Sequence, residues 1–521
     1  MINPSQPYPS QRAPVCADNV LATSQPLAAQ AGMDMLRRGG NAVDAALAAA
    51  ITLTIVEPCS NGIGSDSFAI IWDGESLTGL NGSGRSPQAW TPEKFAGQNE
   101  MPLHGWDSVT VPGSVSSWVA MSERYGSMPF ETLFEAAIHY AENGFQVGPV
   151  TSEHWRRSAE TFKDFPDFVE HFLPVPKTGT RFFRPDAAKT LKDIAATRGE
   201  SFYRGELAKK IEQASISGGG SLRASDLAAH QSEWVELVEQ SYRDVVIHEI
   251  PPNGQGLAAQ ITLGILEQFP KADVDSTESV HQQIEAMKTG LTTVYEHLTD
   301  IDAMRVAPED LLNAELLANA ASNITHTASP LPPVSLPVSK DTVYLSVADK
   351  DGMMVSFIQS NYLGFGSGIV IPGTGITMQN RGFGFSTDPA HPNCVGPGKR
   401  PFHTIIPGFV THKGQPALSF GVMGGPMQAQ GHVQMVQRIF DHGQNPQAAS
   451  DAPRWYLDED FTVRLEPGFS EQVAHELEQK GHKVVFDDQI ALYGGAQLIL
   501  KTPDGYVAGS DHRKEGLATG F

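Results

Sequence analysis

Apolar residues recur at helical spacing through most of the first half of the chain and at alternate positions through much of the second. Ser24 stands before Pro26 and a run that Gly39-Gly40 ends, which predicts a helix over 26–38 capped by Ser24. Asn41 precedes an Ala-rich stretch, Ala42–Val56, that Pro58 stops. Asp44 interrupts that stretch, and it is too short to cross a bilayer, so a buried core helix is expected. The same periodicity predicts helices over 130–142, 256–269, 278–298, 308–321, 431–440 and 471–480. Strands are expected over 67–72, then as a hairpin over 343–348 and 354–359 around Asp351-Gly352. A second hairpin, 405–410 with 417–422, turns at His412-Lys413-Gly414, and further strands fall at 484–486, 496–500 and 506–508. Helices with clustered hairpins point to an α+β layered architecture, not a doubly wound parallel sheet. No internal repeat is visible.

Composition narrows the partners more than the fold. A chain of 521 residues with 40% hydrophobic and 18% charged residues has ample material for a core, as several domains or one large one. The formal charge of −22 repels nucleic acid and anionic membrane surfaces and favours solubility. Three cysteines, Cys16, Cys59 and Cys394, do not make a disulfide framework. The first twenty residues contain four prolines and no apolar run of the secretory kind, so a cytoplasmic location is expected.

Several chemistries find no signature. There is no G-x-S-x-G elbow, H-E-x-x-H helix, Walker A loop or G-x-G-x-x-G fingerprint, and the 17 histidines suggest no metal-ligand spacing. Neither a metal nor another cofactor is expected. Residues 325–340, THTASPLPPVSLPVSK, are rich in Pro and Ser and read either as an ordinary loop or as a tether that can be cut without dismantling the core. They end at Asp341-Thr342, where the first hairpin begins. On that strand Thr342, Tyr344 and Ser346 share one face and Val343, Leu345 and Val347 the other. A threonine there is by itself only a good strand former.

The surrounding segments resemble, in order and over nearly the whole length, the γ-glutamyltransferase (glutathione hydrolase) family of N-terminal-nucleophile hydrolases. They are GMDMLRRGGNAVDAALAAAITLTIVEPCSNGIGSDSFAI, DSVTVPGSVSSW, DTVYLSVADKDG, GFGSGIVIPGTGITMQNR, GPGKRP, VMGGPMQAQGHVQMV, DAPRW and GSDHRKEGLATGF. The resemblance implies a four-layer αββα fold, two stacked antiparallel sheets between helical layers. It implies self-cleavage between Asp341 and Thr342 into a large chain, 1–341, and a small chain, 342–521, intertwined as one structural domain. Thr342 becomes the nucleophile, and its own freed α-amino group the base, whose ordinary pKa of about 7.7–8.0 suits that task. Ser360 matches the hydroxyl residue that supports the nucleophile. Gly424 and Gly425 match the pair whose N–H groups stabilise the oxyanion.

The substrate positions depart from the family pattern. Arg85 is displaced two places from the arginine that binds the donor carboxylate. Arg381 and Gly384 stand where a Gln and an Asp would hold the donor ammonium. Tyr362, with Asn361 beside it, replaces an asparagine, and His403-Thr404 replaces a serine pair. The segment 385–401 is about ten residues shorter than in classical members, as in lid-less members that include cephalosporin and glutaryl acylases. Missing the acid at Gly384, the site is expected to use γ-glutamyl donors weakly and glutaryl amides better. Three readings remain: a γ-glutamyl amide hydrolase or transferase, a dicarboxylate-acyl acylase, and an unprocessed binding protein. The expected partners are a small amide substrate and the two chains of one precursor.

Overall fold

Two seven-stranded sheets, antiparallel throughout, lie face to face between helices in this computed structural model, which describes residues 11–331, 334 and 341–521. The remainder of the 325–340 tether lies outside the described residues. In chain order the sheet strands are β1 (Val15–Ala17), β2 (Val20–Thr23), β3 (Asp66–Trp72), β4 (Leu77–Asn81), β5 (Glu233–Val235), β6 (Val238–Tyr242) and β7 (Val245–Glu249), then β8 (Asp341–Ala348), β9 (Met354–Tyr362), β10 (Gly408–His412), β11 (Gln415–Met423), β12 (Gly495–Thr502), β13 (Gly505–Ser510) and β14 (Leu517–Gly520). One sheet runs β1-β13-β12-β11-β10-β7-β6 and the other β14-β2-β8-β9-β3-β4-β5.

Alternation along β8 builds three of the four layers. Val343, Leu345 and Val347 join a core with α1 (Pro26–Arg37) and α2 (Ala42–Val56). Tyr344 enters the core between the sheets with Phe68, Ile358 and Met423. There its hydroxyl shares a 2.7 Å hydrogen bond with Ser356. A Cβ on Gly421 of the opposite sheet would collide with the Tyr344 ring, so glycine is required for that close approach. Beyond the second sheet, α5 (Gly256–Leu266), α6 (Thr277–His297) and α7 (Met427–Val436), numbered after α3 (Ser114–Tyr125) and α4 (Pro149–Thr161), bury their faces against Ile247, Leu418 and Leu498. The expected αββα layering is present.

Local signals succeed where a cap or turn is decisive. Asn41 accepts from the N–H groups of Val43 and Asp44 while Asp44 accepts from that of Asn41, a reciprocal cap on a helix buried on every side. The cap of α1 is Gln25, not Ser24. Gln25 Oε1 accepts from Leu27 and Ala28, and Ser24 instead donates to Glu57 at 2.6 Å. The expected 308–321 helix is two, Pro308–Leu311 and Ala314–Ser322, because Asn313 caps the second. Residues 130–134 form a 3-10 turn before the helix Glu135–Asn143. The expected 431–440 helix begins earlier, at Met427, and ends in a π turn, Gln437–Asp441. Its polar first turn hides it from an apolar pattern, because Gln428, Gln430 and Gln434 are buried with their amides bonded to Ile406, Leu457 and Trp455.

Candidate active site

Thr342 sits where the β8–β9 register shifts, between the pairs Asp341–Tyr362 and Val343–Gln359. Such an irregularity re-aims a side chain at a strand end. Thr342 Oγ1 donates to Ser360 Oγ at 3.3 Å. Ser360 Oγ also accepts from the Tyr362 N–H at 2.8 Å and donates to the Asp341 carbonyl at 3.0 Å. One serine therefore joins the hydroxyl and the carbonyl on either side of the Asp341–Thr342 bond. Thr342 and Ser360 are fully buried in the intact chain. Tyr362, held at φ 83°, is in a region a bulky residue rarely adopts, as occurs at constrained functional positions.

The glycine pair lies between β11 and α7. Gly424 and Gly425 have φ of 119° and 58°, which side chains resist, and among the described residues neither N–H serves another acceptor. The Gln255 amide donates to the Gly425 carbonyl at 2.9 Å and to the Thr404 carbonyl at 2.6 Å. It fixes the orientation of the peptide after Gly425. Gln255 was not expected from sequence; its place at the start of α5, far away in the chain, gives no local signal.

Arg381 is buried beside the Tyr362 end of β9. Its guanidinium lies 4.8 Å from the centre of the Tyr362 ring, and Nη1 donates to Thr404 Oγ1 at 3.0 Å. Nε and Nη2, the edge that grips a carboxylate in two parallel bonds, have no partner among the described residues. Asp66 is the second residue that the sequence reading missed. It pairs with Ser360 across β3 and β9, which puts both side chains on the face toward the second sheet. The signal was available: an acid on the inward face of a strand whose next inward positions are Phe68 and Ile70. Asp66 accepts from the Gly113 N–H at 3.1 Å and contacts His403 Nε2 at 3.3 Å. Burial pushes it up to about 7, against the opposing pull of Arg381 and of the Gly113 and Gly84 N–H groups. Burial and Arg381 hold His403 well below its ordinary pKa, hence neutral. Its Nδ1 accepts from Ile405 at 3.4 Å, so Nε2 carries the proton and donates to Asp66.

The other expected residues separate. Asn361 faces away from Ser360 and accepts from Ser65 at 2.7 Å, bracing the glycine loop. Arg85 is engaged by Asp300 at 2.7 Å, by Gly398 at 3.2 Å and by Glu233 at 3.5 Å, and has no contact with Arg381 or Thr342 among the described residues. Gly384 has a steric reason to lack an acid: a Cβ there would lie 2.5 Å from the Phe402 carbonyl oxygen. The short segment after it is held down by Asn393, which donates to the Gly384 carbonyl and accepts from Phe402 N–H. A cavity of about 510 Å³ opens beside Asp341, lined by Leu103, His154, Ser158, Phe162, Leu363 and Gly364 among others. His154, pushed down to about 4 by burial, is neutral and 3.5 Å from the Asp341 carboxylate.

One metal-like cluster does exist. His281 and Glu285, one turn apart on α6, meet His482 within ligand reach. Lys288 places its ammonium 2.6 Å from Glu285, and the two imidazoles share a 2.8 Å hydrogen bond. A cation already sits there, supplied by the chain.

The model of the gamma-glutamyltranspeptidase family matches residues 28–521. The chain belongs to that family. It is 36% identical to a glutathione hydrolase-like proenzyme of Bacillus subtilis, over 95% of this chain and 97% of that one. It is 34% identical to the oxamate amidohydrolase proenzyme of Klebsiella pneumoniae, again over 95% and 97%. The crystal structure of a cephalosporin acylase from Bacillus halodurans superposes with a TM-score of 0.96 at 44% identity, covering 100% of this chain and 99% of that one. This gamma-glutamyltranspeptidase-family chain is thus a hydrolase of the N-terminal-nucleophile fold, with proenzymes among its relatives.

Proposed function

We propose that the chain cuts itself before Thr342 and then hydrolyses amides whose acyl group carries a carboxylate. The hydrogen-bond chain Thr342–Ser360–Asp341 carries this reading. Thr342 Oγ attacks the Asp341 carbonyl carbon, whose oxygen already accepts from Ser360. The C–N bond breaks as the acyl group moves from nitrogen to oxygen, and water hydrolyses the resulting ester. The products are an Asp341 carboxylate and a free Thr342 amine. Both sheets interleave strands from the two sides of the cut, with β8 between β2 and β9. The large and small chains therefore remain one domain.

The Thr342 amine then takes the Oγ proton during attack on a substrate amide. The Gly424 and Gly425 N–H groups receive the developing oxyanion, the amine leaves with a proton, and water releases the acid. The free Nε/Nη2 edge of Arg381 supports recognition of an acyl carboxylate. Glutathione hydrolase and cephalosporin acylase relatives fit that class. The short 385–401 segment leaves water access to the acyl ester, which favours hydrolysis over transfer. The test is turnover of glutaryl, γ-glutamyl and plain butyryl anilides by the cleaved protein. The first two should exceed butyryl by at least about a hundredfold in kcat/KM. Equal turnover of all three would contradict the carboxylate reading.

A further inference from the structure

Arg381 is a buried cation with two nitrogens unpartnered among the described residues, yet its surroundings are not simply cationic. Asp66 enters from β3, directly across from Ser360, and no ion pair joins it to Arg381 among the described residues. Its carboxylate is held in place from the protein side by Gly113 and by the neutral His403 imidazole. His403 is itself fixed by Ile405 and by the edge of Phe68, at 4.8 Å between ring centres. The charged or titratable groups acting on Asp66 are Arg381 and, more weakly, Arg400, with the neutral His403 in contact. Arg400 is largely committed to Glu233, through two bonds of 2.9 Å. Tyr203, which Asp66 affects, gives its hydroxyl to Pro112. A partly compensated pair remains, one buried anion and one buried cation close enough for Arg381 to pull the Asp66 carboxyl down.

We propose that Asp66 is the specificity-determining acid of this site, supplying from β3 the partner for a substrate ammonium that Gly384 cannot supply. This rests on Thr342 and Arg381 acting as proposed above. The charge balance is direct. An acyl group with both carboxylate and ammonium, an α-amino acid linked through its side-chain carboxyl, leaves the pocket balanced, with its carboxylate on Arg381 and its ammonium toward Asp66. An acyl group with a carboxylate alone leaves one excess negative charge, unless Asp66 takes up one proton on binding. The zwitterionic donor is therefore favoured when Asp66 is ionised, and the expectation drawn from Gly384 is reversed.

The experiment measures kcat/KM for γ-glutamyl and glutaryl anilides on one cleaved preparation from about pH 6 to about pH 8. The Thr342 amine titrates in both reactions and cancels from their ratio. Asp66, pushed up to about 7, loses its proton across this range. The γ-glutamyl to glutaryl ratio should then rise at least about tenfold with pH. Asp66→Asn should lower the γ-glutamyl value, raise the glutaryl value and flatten the ratio. A ratio constant within about twofold in the wild-type chain overturns the proposal, even if the variant fails to fold. Equal losses for both donors in a folded variant also overturn it. Failure to turn over either donor in the wild-type chain would instead overturn the carboxylate-acyl reading beneath it.

Discussion

Two groups of buried charge in this molecule are built on opposite plans. Near the C-terminus Asp511 accepts from Arg454, from the Arg513 side chain and from three further groups, the N–H of Ala496 and of Arg513 and the hydroxyl of Ser450. Arg513 uses all three of its nitrogens, on Glu466, Ser450, Asp511 and Ala452. Around Thr342, the Arg381 guanidinium makes one hydrogen bond and leaves two nitrogens unpaired among the described residues. Burial is nearly complete in both places. In the first group every carboxylate is paired with a guanidinium, and of the Arg454 and Arg513 side-chain nitrogens one, Arg454 Nε, lacks a partner among the described residues. The second is left shorter of partners, with two guanidinium nitrogens unpaired among the described residues.

Substitutions should break this contrast in opposite directions. Asp511→Ala strips the buried Arg454 guanidinium of its carboxylate and leaves Arg513 with Glu466 alone, and should cost about 3–5 kcal/mol of stability, read by denaturant unfolding. A loss below about 1 kcal/mol would mean that the cluster contributes no more than a surface pair. Arg381→Met should leave thermal stability unchanged or raised, because it replaces an under-paired charge with apolar volume. The same variant should lose at least about a hundredfold in kcat/KM for carboxylate donors. Marked destabilisation there would place Arg381 among the structural charges. Thr404→Val removes the one acceptor that the Arg381 guanidinium has among the described residues and should raise KM for those donors about tenfold, since such a bond is worth roughly 1.5 kcal/mol, with kcat little changed. An unchanged KM would show that Arg381 needs no such anchor.

The smallest effect is the pH dependence of stability, and the two acids should pull in opposite directions. Asp66 is raised above its unfolded value, so its contribution is full below about pH 4 and is lost as pH rises through about 7. Asp511 is lowered by Arg454 and Arg513 despite burial, so its contribution is full above about pH 4 and is lost on further acidification. Melting curves of wild-type and Asp66→Asn chains should therefore differ in slope between about pH 4 and about pH 7 and run parallel above that range. Parallel curves throughout would place Asp66 in a less buried setting than the one described.

What the sequence made legible was local or ordered. The Asn41 cap, the Asp351-Gly352 hairpin, Thr342 at a strand start and the Gly424-Gly425 pair each carry their signal within a few residues. The ordered segments supplied the layering that periodicity alone left open. What stayed hidden depends on pairing across the chain. Asp66 meets Ser360 only when β3 joins β9, and Gln255 reaches Gly425 only when the two halves stack. Asn361 and Arg85 have suitable chemistry but face other partners, because strand parity and neighbouring acids decide their direction. His281 and Glu285 had ligand spacing that was passed over, and it took the fold to show Lys288 in the cation's place.

Mass analysis with N-terminal sequencing of the purified protein reads whether Thr342 becomes a catalytic N-terminus. Two chains that stay together are expected, the smaller being the last 180 of the 521 residues and beginning Thr-Val-Tyr-Leu. Thr342→Ala should remain a single inactive chain. A wild-type chain that stays whole while hydrolysing acyl anilides, or efficient cleavage of Thr342→Ala at the same bond, would contradict it.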